Sequence, residues 1–156
     1  ATDPAFQAMQ VAHPGRDTAA PEFGLATLAG ATIALTQLRG QVVFLNFWAT
    51  WCPPCRLEMP SMEALHQEFK GHGLAVVAVN LRESAGDVAA FMDEIHLSFP
   101  ALLDLDGEVS SRYRVHAIPS TVLIDRNGRI VGTAIGPRDW ASPEAKALIR
   151  SLLGQH

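Results

Sequence analysis

Two stretches of the chain are apolar almost without interruption. Residues 42–48 read VVFLNFW and residues 74–80 read LAVVAVN, and β-branched or aromatic side chains are frequent in both. Strands that are covered by helices on both faces have this composition. Between them, apolar residues recur at helical spacing over residues 57–69, and a lysine and a glycine follow. The pattern predicts a parallel strand–helix–strand unit of an α/β fold, with residues 42–48 as the central strand.

Smaller elements are predicted around this unit. Between residues 21 and 40, short apolar segments separated by glycines predict a small hairpin. Further along, the pattern predicts helices over residues 87–95 and 106–115, strands over residues 99–103, 121–125 and 130–135, and a closing helix that starts at Ser142. Asn127-Gly128 stands between the last two strands and predicts a tight turn with two positive φ values, which makes the sheet mixed.

The chain has the length of one domain, and its first part differs in character from the rest. It contains 156 residues, 48% of them hydrophobic, which is enough to form a stable buried core without disulfide bonds or a structural metal ion. Residues 1–20 mix proline, glycine, alanine and polar residues around a short apolar turn. We interpret residues 1–20 as an N-terminal extension with one helical turn docked on the domain, and residues 21–156 as the folded domain.

Charge and hydropathy argue against two classes of partner. The formal net charge is −4 and the sequence pI is about 5.8, with the basic residues scattered along the chain. Domains that bind nucleic acid usually have a pI above roughly 9, so we expect no nucleic-acid partner. No run approaches the roughly 18 apolar residues that cross a bilayer. Because the chain begins with Ala1, an export signal or membrane anchor of the native form would lie in a segment absent from this sequence.

The only two cysteines, Cys52 and Cys55, stand between the first buried strand and its helix. This count excludes a framework of several disulfides and a four-cysteine zinc site. A sulfur at the N-cap faces the free N–H groups of the first helical turn, which stabilise a thiolate. Pro53 and Pro54 fit that turn, where no helical hydrogen bond is lost. The context indicates redox chemistry, with reduced buried thiols or half of a zinc site as the alternative.

The sequence FWATWCPPC at residues 47–55 resembles the thioredoxin superfamily. Supporting motifs are a proline at position 60, Val79-Asn80 at a strand end, AIPST at residues 117–121 and LIDRNGRI at residues 123–130. Over about residues 21–153 the chain resembles the TlpA/ResA/CcmG-like extracytoplasmic thiol–disulfide oxidoreductases. The resemblance implies a thioredoxin-like fold, in which helices flank a central mixed β-sheet.

The resemblance also implies which residues meet a substrate. Pro119 matches the cis-proline of the superfamily, whose loop packs beside the disulfide. Ile118, which precedes it, would offer backbone groups to an extended substrate strand. The expected substrate-binding residues are Trp51, Pro53, Pro54, Ile118 and Pro119.

A proton partner for the second thiol is less obvious. Thioredoxin usually carries a buried aspartate where this chain has Asn46, and an amide cannot take a proton. Glu58 lies three residues after Cys55, on the same helical face, and matches an acidic residue of the ResA-like branch. Partial burial beneath the sulfurs would raise the pKa of Glu58 and let it exchange a proton with Cys55 through a water molecule. Alternatively, Glu58 is a first-turn glutamate that points to solvent.

Thiol–disulfide exchange is the expected reaction, with Cys52 as the nucleophile and Cys55 as the resolving thiol. We expect no metal and no cofactor besides the Cys52–Cys55 disulfide. The family suggests a periplasmic or otherwise extracytoplasmic reductase that is recharged by a membrane-borne thiol reductant. Its client would be a protein with a disulfide or thiol pair, as in cytochrome c maturation or copper-site assembly. A copper-binding chaperone and a peroxiredoxin-like peroxidase are the alternatives on the same fold.

Overall fold

Seven strands form one sheet in the computed structural model, which describes residues 3–154. The strands are β1 (Gly24–Thr27), β2 (Thr32–Ala34), β3 (Val42–Trp48), β4 (Leu74–Leu81), β5 (Ala101–Asp104), β6 (Ser120–Ile124) and β7 (Ile130–Ile135). The helices are α1 (Pro4–Ala8), α2 (Pro53–Phe69), α3 (Ala85–Glu94), α4 (Glu108–Arg112) and α5 (Pro143–Leu153). A 3-10 helix spans Leu35–Leu38. Residues 1–2 and 155–156, the outer ends of the two predicted segments, lie outside the described residues.

The predicted strand–helix–strand unit is present as β3, α2 and β4. All seven residues of β3 are buried, and β3 pairs with β4 in parallel. The sheet order is β2-β1-β5-β4-β3-β6-β7, so β4 is the middle strand and the prediction of β3 as the central one was wrong by one position. The sheet is mixed, as predicted, because β6 pairs with β3 antiparallel. The chain thus leaves an interior strand just before the two cysteines.

Hydrophobic residues fill both faces of the sheet. On one face, buried side chains of α1, α2, α3 and α5 pack against Phe44, Trp48 and Val76. On the other, α4, the β1–β2 hairpin and the 3-10 helix pack against Leu45, Phe47 and neighbouring side chains. Successive residues of β3 therefore serve opposite cores, as the two-residue period of a strand requires.

Residues 3–20 lie along β7, at the edge of the sheet. Asp3 caps α1, and Phe6, Met9 and Val11 are buried. Beyond α1, the backbone of Ala12 forms a bridge with Thr133. This segment covers the outer edge of β7, which would otherwise expose unpaired backbone groups.

Two local predictions fail because polar side chains direct the backbone. Between β6 and β7 only Gly128 has a positive φ, of 81°, so the predicted pair of positive φ values was wrong. The Asp125 carboxylate instead accepts hydrogen bonds from the N–H groups of Asn127 and Arg129. Helix α4 is shorter than predicted: it begins after Gly107, which has a φ of 75°, and its first turn donates to the buried Asp104 carboxylate.

Candidate active site

The cysteine pair occupies the N-terminus of α2. Cys52 is the N-cap, with φ −98° and ψ 105°, and the Cys55 N–H donates to the Cys52 sulfur at 3.3 Å. The two sulfurs form a disulfide, with Cα atoms 5.3 Å apart. Cys52 is 4% exposed and Cys55 is fully buried, so only the first cysteine reaches the surface. The positive end of the helix and the Cys55 N–H both stabilise negative charge at Cys52.

A loop before β6 borders the disulfide on one side. The Ile118–Pro119 peptide bond is cis, and the Ile118 carbonyl oxygen lies 3.8 Å from the Cys52 sulfur. Ser120 Oγ donates to the Ala117 carbonyl, and the Gly136 N–H donates to the Pro119 carbonyl at 2.8 Å. These bonds hold the loop against the sulfur, with Pro119 buried and Ile118 half-buried.

The residues on either side of Cys52 in the sequence expose apolar side chains. Trp51 is 66% exposed, and Pro53 and Pro54 are exposed as well. Trp48, by contrast, is fully buried, with its ring 5.3 Å from that of Phe91. Trp51 is therefore the tryptophan that presents an apolar surface beside the cysteine pair.

A carboxylate on another loop anchors the segment that leads to Cys52. Glu83, just after β4, accepts hydrogen bonds from the Thr50 N–H at 2.7 Å and from Thr50 Oγ1 at 2.5 Å. Asn80, near the end of β4, donates its amide to the same carboxylate at 2.8 Å. The backbone just before Trp51 is thereby tied to the end of the neighbouring parallel strand.

Glu58 is buried one turn beyond Cys55, with 2% of its surface exposed, so it does not point to solvent. Its Oε1 accepts a hydrogen bond from Asn46 Nδ2 at 2.9 Å. Its Oε2 accepts from the Arg138 N–H at 3.0 Å and from Trp140 Nε1 at 2.9 Å. Burial raises the pKa of Glu58, although these three N–H donors and the positive charge of Arg138 oppose the shift.

The sequence pattern indicates the cysteine loop and Glu58 but carries no signal for most of the groups that hold them. Arg138 and Trp140 lie 80 and 82 residues from Glu58, and no periodic pattern relates them to α2. A buried indole N–H usually finds a partner, which is the one signal Trp140 offers, but its partner follows only from the tertiary fold. Glu83 gives no such signal, because it reads as a polar residue in a loop.

The described part of the chain, residues 3–154, holds no cluster of three or more His, Cys, Asp or Glu side chains that could bind a metal ion. Within that range, Cys52 and Cys55 are therefore part of no such cluster.

Comparison with known proteins identifies the family. The AhpC/TSA family matches residues 17–133, three quarters of the chain. The chain belongs to the AhpC/TSA family. Among curated relatives, it is 44% identical over 117 residues to the thiol-disulfide oxidoreductase ResA of Halalkalibacterium halodurans, covering 75% of this chain and 66% of that protein. It is 45% identical over 130 residues to the thioredoxin-like protein YneN of Bacillus subtilis, covering 81% of this chain and 75% of that protein.

A solved structure supports the thioredoxin-like fold. The structure is similar to a crystal structure from Chlorobium tepidum of a thiol:disulfide interchange protein of the thioredoxin family. The TM-score is 0.80 at 28% identity, and the match covers 90% of this chain and 99% of that one. The AhpC/TSA member described here thus has the expected thioredoxin-like fold. It spans slightly less than two thirds of the length of its ResA relatives, 66% and 65% for two of them.

Proposed function

We propose that this protein is a thiol–disulfide oxidoreductase that reduces disulfides of client proteins outside the cytoplasm. The observation that carries the proposal is the position of Cys52. Its sulfur sits at the N-terminus of α2, accepts the Cys55 N–H at 3.3 Å, and lies 3.8 Å from the carbonyl oxygen of Ile118. A sulfur in this position can leave or attack as a thiolate, while a client strand lies against the Ile118 backbone.

In the reduced protein, the Cys52 thiolate attacks one sulfur of the client disulfide. A mixed disulfide forms, and the other client sulfur leaves as a thiolate and takes up a proton. Cys55, after losing its proton, then attacks the Cys52 sulfur of the mixed disulfide and releases the second client sulfur. The client gains two electrons and two protons, and the protein ends with the Cys52–Cys55 disulfide. Trp51, Pro53, Pro54, Ile118 and Pro119 form the surface that meets the client.

Glu58 is the proposed proton acceptor for Cys55. It lies one helical turn from Cys55, in the interior, where burial raises its pKa. Its hydrogen-bond partners within residues 3–154 are Asn46, Arg138 and Trp140 rather than a sulfur, so we propose that the proton moves through a water molecule. A carboxylate with a raised pKa is closer in proton affinity to a thiol than an ordinary carboxylate is, which makes the transfer easier in both directions.

Each turnover leaves the protein oxidised, so a second dithiol must reduce it. We propose a membrane-borne thiol reductant, because the motifs of this chain resemble an extracytoplasmic branch that works in an oxidising compartment, and two relatives are named thiol-disulfide oxidoreductase ResA. The proposed location is the periplasm or an equivalent space, and the proposed clients are the cysteine pairs of apocytochrome c or of a copper site. Among residues 3–154, no helix is long and apolar enough to span a membrane.

Reduction of insulin disulfides by the reduced protein tests the proposed reaction. With the reduced protein as the sole reductant, we expect the native chain to reduce one insulin disulfide per molecule and Cys52→Ser to reduce none, while Cys55→Ser stops at the mixed disulfide. Equilibration with a glutathione redox buffer tests the direction. We expect a midpoint nearer the roughly −270 mV of thioredoxin than the roughly −120 mV of a strong oxidant. A midpoint at the oxidising end would overturn the reductase assignment and leave the oxidoreductase class intact.

The same preparations test the two alternatives from the sequence. A peroxidase would consume hydrogen peroxide even as Cys55→Ser, because the first oxidation needs only the reactive cysteine. A copper chaperone would bind one Cu(I) tightly through the thiolates of Cys52 and Cys55. Peroxide consumption or stoichiometric copper binding, without insulin reduction, would replace the proposed function.

A further inference from the structure

The side chain of Arg138 binds backbone oxygens of two separate segments. Its Nε donates to the Met9 carbonyl at 2.8 Å and its Nη2 to the Gln10 carbonyl at 3.1 Å. Its Nη1 donates to the carbonyls of Ile135, Gly136 and Pro137 at 3.0, 3.2 and 3.1 Å. A planar guanidinium has the fixed set of donors that such an arrangement needs, whereas an ammonium group does not. Arg138 thus joins the N-terminal segment to the β7–α5 loop, residues 136–142.

The backbone of the same loop holds Glu58. The Arg138 N–H and the Trp140 indole N–H both donate to Glu58 Oε2, at 3.0 and 2.9 Å. The Trp140 N–H donates to Ser61 Oγ on α2 at 3.0 Å. These three bonds all depend on the path of the β7–α5 loop. A loop that moved would leave the buried carboxylate with Asn46 as its remaining donor.

Strain in the N-terminal segment occurs at the point that Arg138 contacts. Gln10 has a φ of 54°, a value that non-glycine residues seldom adopt. Such a conformation persists where surrounding contacts fix it. The turn at Gln10 follows Met9, and the guanidinium binds the carbonyls of both residues.

We propose that Arg138 is a positioning residue of the redox site: by fastening the N-terminal segment to the β7–α5 loop, it fixes the two N–H donors that hold the Glu58 carboxylate. The inference rests on the proposed function, in which Glu58 exchanges a proton with Cys55. Arg138 is the charged group that acts on Glu58, Asp139 on the same loop lines a cavity with it, and Cys55 lies one turn away on α2. Asn46 on β3, which also contacts the carboxylate, carries no charge.

The test is a carbon NMR titration of the Glu58 carboxyl in the oxidised protein, where the cysteines do not titrate. Arg138→Lys keeps the positive charge but cannot bind five carbonyls in two segments. We expect its Glu58 midpoint to rise above that of the native chain, because the N–H donors that favour the carboxylate are loosened. Arg138→Ala should raise the midpoint further, since the charge is lost as well. If the Glu58 titration midpoint in Arg138→Lys equals that of the native chain, the proposal is overturned. Arg138 would then act on Glu58 through its positive charge alone.

Arg126 provides a matched control. Its guanidinium also binds backbone carbonyls, those of Gly40 at 2.9 Å and Leu153 at 2.8 Å, but neither bond leads to Glu58. Arg126→Ala should leave the Glu58 midpoint unchanged, and an equal rise there would overturn the proposal.

In the native chain, the Arg138 amide and the Trp140 indole nitrogen shifts should follow the Glu58 titration. This measurement needs no variant, and its failure would also overturn the proposal.

Insulin reduction separates this inference from the proposed function. A native chain that fails to reduce insulin, with the Glu58 midpoint still raised in Arg138→Lys, would contradict the function but support the positioning role. If the native chain reduces insulin, the pH dependence of the insulin reduction rate should shift in Arg138→Lys, in the same direction as the Glu58 titration midpoint. A profile that does not move would overturn the link between Arg138 and the reaction.

Discussion

At the scale of single residues, the site depends on the buried carboxylate of Glu58, which accepts hydrogen bonds from three N–H groups. Burial raises the pKa of Glu58, so its protonated form is favoured more in the folded protein than in the unfolded chain. Asn46 Oδ1 has no hydrogen-bond partner among the described residues. In Glu58→Gln, rotation of the Asn46 amide would let that oxygen accept the new NH₂ group, while the glutamine oxygen keeps the donors from Arg138 and Trp140. We therefore expect Glu58→Gln to fold.

The pH dependence of stability tests the state of Glu58. Because its folded pKa is raised, its favourable contribution is present below its unfolded pKa of about 4.5 and is lost as pH rises through the folded value. The native chain should therefore lose stability relative to Glu58→Gln as pH rises from about 4 toward neutrality. Urea unfolding of both oxidised proteins over this range measures the difference. A difference that stays constant with pH would show that the pKa of Glu58 is not raised in the fold.

Glu63 on the same helix is a control, because its pKa is shifted in the opposite direction. Partial burial opposes the shift, but hydrogen bonds from Gln67 and Ser98 lower the pKa of Glu63. Its contribution is present above its unfolded pKa and is lost as pH falls. Glu63→Gln should therefore approach native stability as the solution becomes acidic, the reverse of the trend for Glu58→Gln.

At the scale of elements, the segment before α2 is positioned by the end of β4. Glu83 accepts two hydrogen bonds from Thr50, and Asn80 donates to it as well. Glu83→Ala should cost about 1 kcal/mol of stability, since hydrogen bonds to a charged but partly exposed group are lost. It should also speed hydrogen exchange at the Thr50 N–H and slow insulin reduction, because Trp51 and Cys52 follow that anchor.

Amide hydrogen exchange and urea unfolding of the oxidised protein measure these effects. Glu94→Gln, an exposed residue at the end of α3, is the matched loss of a carboxylate. A Thr50 N–H that remains as protected in Glu83→Ala as in the native chain would mean that Glu83 does not hold the loop.

The elements that the sequence predicts well are those fixed by local chemistry. The apolar run of β3, the cap at Cys52, and Ser142 followed by Pro143 at the start of α5 all carry their signals within a few residues. Features that depend on distant groups were missed or misplaced. The turn after β6 follows Asp125 rather than the Asn-Gly pair, and the β7–α5 loop binds Glu58 across 80 residues. Hydrophobic periodicity carries no information about such polar contacts.

At the scale of the whole molecule, the N-terminal segment shares the core with the rest of the chain. A Cβ atom at Gly132 in β7 would lie 2.6 Å from Val11 Cγ1 and 3.1 Å from Phe6 Cε2. Gly132→Ala should therefore push this segment from the sheet and cost about 1–3 kcal/mol of stability. It should also speed hydrogen exchange at the Ala12 N–H, which donates to the Thr133 carbonyl at 2.8 Å.

Gly86 in α3 is the control for this substitution. An added Cβ there meets no atom within 4 Å, so Gly86→Ala should be neutral or slightly stabilising in the helix. Equal effects of the two substitutions on unfolding by urea, with no change at the Ala12 N–H, would mean that the N-terminal segment does not pack on β7.

In the proposed reaction, the first bond to a client forms at Cys52, and Cys55 then releases the client. Cys52 is 4% exposed and Cys55 is fully buried, so the roles should not be interchangeable. Mass spectrometry of the reduced Cys55→Ser and Cys52→Ser variants, each mixed with a small disulfide-bonded peptide, measures this directly. We predict a stable one-to-one mixed disulfide at Cys52 in Cys55→Ser and no adduct in Cys52→Ser. An adduct at Cys55, or none in either variant, would contradict the account.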